Sequence, residues 1–209
     1  MDDSTSRAPY SRNDVEAKRG YSRSHAGAAR VFLIVCRSPG KHSPTCANSQ
    51  TSRIASSQVD LDTANAVPFF RAYSASLTDH FYTTNYAEMK SVTSSGTYAL
   101  EKAPGFVFRT PAPSTTPLLR LYSPGATDHF YTTSQTEANY VIINGGYGTE
   151  GTAAYVYATQ VGGSIPLYRL YNPAILDNFF TTDEAEKENA IRNLGYADLG
   201  ITCYVLRDL

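Results

Sequence analysis

The chain has 209 residues, 42% hydrophobic and 18% charged, with 16 Tyr and no Trp; this suits a soluble globular protein of one or two domains, richer in strands than in helical bundles. No stretch approaches the roughly 20 apolar residues that cross a bilayer as a helix, so no membrane span is expected. Net charge is +4 over residues 1–60 and −5 over residues 61–209, and the acidic part lacks the basic footprint of a nucleic-acid partner.

In chain order, residues 1–65 come first. They are Ser-, Arg- and Ala-rich and read as a solvated, disordered basic tail. Met1-Asp2-Asp3 is acidic where a secretory signal starts basic, and the apolar run from Val31 to Cys36 is short and late. Cys36, Cys46 and Cys203 form an odd set without C-x-x-C spacing, which gives neither a disulfide framework nor a zinc site; a Cys36–Cys46 bridge stays open for an oxidising compartment.

The rest, residues 66–209, repeats itself every 49 residues without insertion or deletion. Pro68, Pro117 and Pro166 are in register, as are Arg71, Arg120 and Arg169, and Tyr73, Tyr122 and Tyr171. Asp79, Asp128 and Asp177 follow, then Thr83, Thr132 and Thr181, then Glu88, Glu137 and Glu186. Tyr98, Tyr147 and Tyr196, and Val107, Val156 and Val205, complete eight triplets. The units span about residues 67–115, 116–164 and 165–209.

The second copy spells out the unit. Residues 117–122 alternate as a strand entered by Pro, residues 123–128 form a turn in which Pro124 and Gly125 supply the special dihedrals, and residues 129–133 are a second strand. Ser134 with Glu137 predicts a helix opened by a capping box, matched by Asn85/Glu88 and Asp183/Glu186. Gly145-Gly146 stops that helix, as Gly96 and Gly195 do in the other copies, and residues 147–150 and 153–157 read as two short strands. The fold class is therefore α+β, mostly β: three strand-strand-helix-strand-strand repeats. One unit is too small to bury its own apolar face, so the three are expected to close into a pseudo-threefold body, propeller-like or trefoil-like.

The runs Pro166-Leu-Tyr-Arg-Leu-Tyr-Asn-Pro173 and Asp128-His-Phe-Tyr-Thr-Thr133 resemble a Tyr-rich repeat domain of unknown function from predicted secreted proteins of fungi and bacteria, alone or appended to extracellular enzymes such as peptidases. The resemblance covers about residues 66–208. It implies an extracellular setting and an accessory, lectin-like role, and carries no binding residues over.

Asp79-His80 and Asp128-His129 invite a catalytic or metal reading, but strand neighbours point to opposite faces, and the third copy reads Asp177-Asn178. The simpler expectation is an Asp that caps backbone N–H groups in its own turn. Arg71, Arg120 and Arg169 should pair with a carboxylate of their own unit, with Tyr stacking, and the three Glu serve the capping boxes. Tyr82 and Tyr131 are core aromatics whose hydroxyl Phe180 marks as dispensable. If sugar binds, the contacts would be Asp79, His80, Asp128, His129, Asp177 and Asn178, with Tyr73, Tyr122 and Tyr171 beside them. There is no G-x-S-x-G, H-E-x-x-H or phosphate-binding loop, and no catalytic residue, metal or cofactor is expected. Three readings remain: a polysaccharide- or cell-wall-binding module, a structural or protein-interaction module, and a hydrolase using the Asp-His pairs.

Overall fold

A computed structural model describes residues 63–207. Residues 1–62 of the predicted basic tail, Cys36 and Cys46 lie outside the described residues. Within them, a 3-10 turn at Thr63–Asn65 leads into eleven strands and three helices. The first unit holds β1 (Ala66–Pro68), β2 (Phe70–Ser74), β3 (Asp79–Thr83), α1 (Tyr86–Ser94), β4 (Ala99–Glu101) and β5 (Phe106–Phe108). The second holds β6 (Thr115–Ser123), β7 (Asp128–Thr132), α2 (Gln135–Asn144) and β8 (Gly148–Tyr157). The third holds β9 (Ile165–Asn172), β10 (Asp177–Thr181), α3 (Glu184–Asn193) and β11 (Ala197–Val205).

The fold is mostly β. Eight strands make a curled, half-barrel sheet in the order β1-β5-β8-β11-β9-β10, with the β6–β7 hairpin joined at β8; β3, β2 and β4 form a second sheet. All pairings are antiparallel. The expected hairpins form with Ser74 opposite Asp79, Ser123 opposite Asp128 and Asn172 opposite Asp177.

Their turns differ from the expectation. The left-handed residue is Thr78, Thr127 or Leu176, with φ of 55°, 52° and 57°, rather than Gly125. The turn N–H groups are bonded by the residue that opens each turn: Ser74 Oγ accepts from Leu77, Ser123 Oγ from Ala126 and Asn172 Oδ1 from Ala174. The Asp side chains are thereby released for other partners.

Each helix starts as the sequence indicates. Asn85, Ser134 and Asp183 accept the backbone N–H of Glu88, Glu137 and Glu186. The reciprocal arm of the capping box is absent, because Thr83, Thr132 and Thr181 accept the N–H of the cap residue instead. Those same hydroxyls donate to Glu88, Glu137 and Glu186.

The two short strands expected after each helix are separate only in the first unit. Gly151 and Gly200, at φ of 89° and 88°, let β8 and β11 bend through a register shift without breaking. In the first unit Lys102–Gly105 leave the strand conformation.

The last strands contact one another in sequence. Phe108 pairs with Tyr155, Tyr157 with Tyr204, and Leu206 with Phe106. At the last of these crossings a Cβ on Gly105 would stand 2.6 Å from the Leu206 carbonyl oxygen, so only glycine admits the approach.

All three units feed one core. Phe69, Leu118 and Leu167 pack there with Tyr82, Tyr131 and Phe180, above Val107, Val156 and Val205, all fully buried. Smaller clusters lie between each helix and its hairpin: Met89 on Phe81, Val141 on Phe130, Ala190 on Phe179.

Candidate functional site

The chemistry-bearing residues singled out by the sequence converge at the junctions between units. Asp79, Asp128 and Asp177 are fully buried, and their carboxylate oxygens lie within 4.8 Å of one another. Strand alternation keeps each Asp from its neighbouring His, and the bonds to His and Asn cross to another unit. Asp79 accepts the His129 backbone N–H at 2.8 Å and meets His129 Nδ1 at 2.6 Å. Asp177 does the same with His80, at 3.0 Å and 2.7 Å. Asp128 accepts the N–H and the side-chain amide of Asn178, at 2.8 Å and 2.6 Å. A Tyr hydroxyl from the same unit completes each acid: Tyr98 on Asp79, Tyr147 on Asp128, Tyr196 on Asp177. The spacing is that of a shared cation, but N–H and O–H donors already take both oxygens of each acid, and the trio reads as a buried hydrogen-bonded cluster.

Below the acids, Tyr82, Tyr131 and Phe180 meet edge to face, with ring centroids 5.3–5.6 Å apart. The Tyr131 hydroxyl accepts from the Tyr82 N–H and donates to its carbonyl, both at 2.8 Å. Tyr82 treats Phe180 in the same way. The hydroxyl that Phe180 seemed to mark as dispensable is therefore used by both tyrosines that have it.

The arginines also reach across. Arg71 holds Glu186 by two hydrogen bonds of 2.9 and 2.8 Å, Arg120 holds Glu88 by two of 3.1 and 3.0 Å, and Arg169 donates to Glu137 at 2.9 Å. The expected partner within the unit is present too, on Nε: Glu101 for Arg71 and Glu150 for Arg120. Each guanidinium lies over a Phe of the unit that supplies its Glu: Phe179, Phe81 and Phe130 respectively. His80 and His129 stack on Tyr73 and Tyr122 and turn Nε2 toward Glu101 and Glu150, at 3.9 and 3.6 Å.

The third unit departs at one seam. Thr127 Oγ1 donates to the Leu77 carbonyl and Thr78 Oγ1 to that of Ile175, but Leu176 has no hydroxyl to give. Asn178 replaces an imidazole, Phe180 a phenol, and Leu199 the glutamate of Glu101 and Glu150. Leu176 ends the turn before β10, and Asn178 and Phe180 are alternate positions of that strand, on the face turned to the second unit.

Electrostatics follow this asymmetry. Burial pushes the Asp128 carboxyl up; the Tyr147 and Asn178 donors pull it back, Asp177 pushes it further, and it settles at about 8. Burial and the adjacent acids drive the hydroxyls of Tyr98, Tyr147 and Tyr196 far above the usual phenol range. Burial works against the charged forms of Glu88 and Glu186, but Arg120 and Arg71 outweigh it and hold both carboxyls below the ordinary value.

Two concave surfaces among the described residues lie elsewhere, at helix starts. The larger, about 570 Å³, is bordered by Lys102, Pro104, Tyr168, Asp183, Glu184 and Arg207. A second, about 540 Å³, is bordered by Thr84 to Ala87 and Arg109. Sequence reasoning did not single out either; the signal was present only as charged and aromatic residues that differ between copies.

A family model described as Domain of unknown function (DUF5648) matches residues 68–206. The chain belongs to this family. No curated protein and no solved structure matches it. Of the residues a sugar would have met in this DUF5648 domain, Asp79, His80, Asp128, Asp177, Asn178 and Tyr171 are buried, and His129, Tyr73 and Tyr122 are half-buried. The Asp, His and Asn side chains meet one another in the buried cluster; none of the nine borders either of the two helix-start hollows.

Proposed function

We propose that this domain is a non-catalytic, extracellular, polysaccharide-binding accessory module whose three repeats close about a pseudo-threefold axis and whose repeated polar residues are architecture. The carrying observation is that the Asp, Arg and inner Tyr side chains bond a different unit from their own. The partner offsets support closure: Arg120–Glu88 and Arg169–Glu137 are 32 apart, and Arg71–Glu186 is 115 apart, which makes up the remainder of three 49-residue repeats. Acids and imidazoles spent in this way are poorly placed to work on a substrate. The two helix-start hollows instead pair a Tyr with an Arg, Tyr86 with Arg109 and Tyr168 with Arg207, a combination suited to sugar rings and hydroxyls.

Pull-down on insoluble chitin, β-glucan and peptidoglycan tests this. Retention is expected on at least one, and Asp79→Ala should lower the melting temperature without changing the retained fraction. No retention on any of them would overturn the reading. A protein-interaction role is the second reading, favoured by the exposed Tyr140, Ile142 and Ile143 of α2.

A further inference from the structure

The two hollows are not equivalent, and the difference bears on how many ligands the domain takes. The larger one owes its shape to the first unit. β8 and β11 run unbroken through Gly151 and Gly200, whereas Lys102–Gly105 fall between β4 and β5. The resulting loop places Lys102 and Pro104 opposite the start of α3, where Thr182 Oγ1 donates to the Pro104 carbonyl at 2.6 Å. A side lobe of about 100 Å³ continues from the same loop toward Arg71 and Glu186.

Three of the residues that give this groove its chemistry, Tyr168, Glu184 and Lys102, are lacking in both other copies. Tyr168 corresponds to Phe70 and Leu119, Glu184 to Tyr86 and Gln135, and Lys102 to Gly151 and Gly200. Arg207 recurs as Arg109 but becomes Ala158 in the second unit. The scaffold residues repeat in all three copies and these do not, so the repeat builds one body and the divergence builds one site.

The lining also restricts the ligand. Two acids, Asp183 and Glu184, face two cations, Lys102 and Arg207, so neither an anion nor a cation meets a single-sign field. One oxygen of each acid is in use: Asp183 Oδ1 caps the helix and Glu184 Oε1 accepts the Tyr168 hydroxyl at 3.0 Å. Lys102 and Arg207 have no hydrogen-bond or ion-pair partner among the described residues. Acceptors, donors and one aromatic ring in a volume typical of small-ligand sites match an uncharged ring bearing many hydroxyls.

We infer that the groove between the Lys102–Gly105 loop and the start of α3 is a single glycan subsite for uncharged sugar units, one per chain. The inference rests on the binding role proposed above and adds its location and stoichiometry.

Calorimetric titration of the full chain with laminarihexaose, cellohexaose and chitohexaose tests it. At least one should bind at one molecule per chain. Tyr168→Ala and Glu184→Ala should each weaken that binding by about tenfold or more, while Gln135→Ala, at the position of α2 equivalent to Glu184, leaves it unchanged. Circular dichroism of the variants checks that the fold persists. Two or three sites per chain, or parent affinity in Tyr168→Ala, would overturn the single groove and leave polysaccharide binding standing. Silence with all three hexasaccharides alongside retention on an insoluble polymer refutes the groove alone; silence in both assays refutes both readings.

Discussion

Replacing Asp128 by Asn probes the buried acid cluster most directly. Asp128 is fully buried, touches no cationic partner, and carries a carboxyl raised from the ordinary 3.8 to about 8. The unfolded chain loses that proton near the ordinary value, while the folded chain keeps it until about pH 8. Between these limits the folded state binds one proton more than the unfolded state, so stability falls as pH rises and levels off above about 8. Each pH unit is worth about 1.4 kcal/mol, and the full interval amounts to roughly 6 kcal/mol, comparable with the whole stability of many domains. An amide at position 128 is neutral at every pH and removes this slope. Urea unfolding of parent and Asp128→Asn at closely spaced pH values should therefore give curves that converge on the acid side and separate toward alkaline pH, with the variant the more stable. Two parallel curves would refute the reasoning, because they would mean that Asp128 takes up no proton that the unfolded chain lacks.

Two further expectations concern the same junctions. Phe180→Tyr places a hydroxyl where the second unit's Tyr131 backbone would receive the bonds that Tyr82 and Phe180 receive from their neighbours; a gain of about 1 kcal/mol should appear in calorimetry as a melting point a few degrees higher, and an unchanged or lower one would count against the seam. Arg120→Ala strips Glu88 of both guanidinium bonds and should cost about 1–2 kcal/mol after allowance for the 33% exposure of the Glu88 side chain. Since Arg120 holds the Glu88 carboxyl low, its contribution is present above the ordinary carboxylate pKa and lost as pH falls through the depressed one. Acid unfolding followed by circular dichroism should accordingly be shallower in the variant than in the parent.

The sequence displayed which residues matter and concealed whom they serve. A fixed spacing says that Asp79, Asp128 and Asp177 play one role, but their partners are 50 or 97 positions away, and nothing local distinguishes an Asp that caps its own turn from one that reaches across. Ser74, Ser123 and Asn172 perform the turn capping, and they went unnoticed because the third is an amide. The Thr that precedes each N-cap by two positions was visible as a triplet, yet its interception of the capping box follows from the Arg that draws the Glu away. The weak seam was legible in principle: Asn178 and Phe180 are alternate residues of one strand and Leu176 ends the turn before it, so three polar losses lie close together at one junction.

Phe106 has one consequence for the chain as a thread. It pairs with Pro68 on one flank and Leu206 on the other, which leaves the two extremities of the folded body about two strand spacings, roughly 10 Å, apart. A short peptide could splice them and a cut in the Gly162-Gly163 connection could reopen the loop, so that synthesis would begin at the former third segment. For such a body, which segment leaves the ribosome first is a matter of genetic bookkeeping and not of shape.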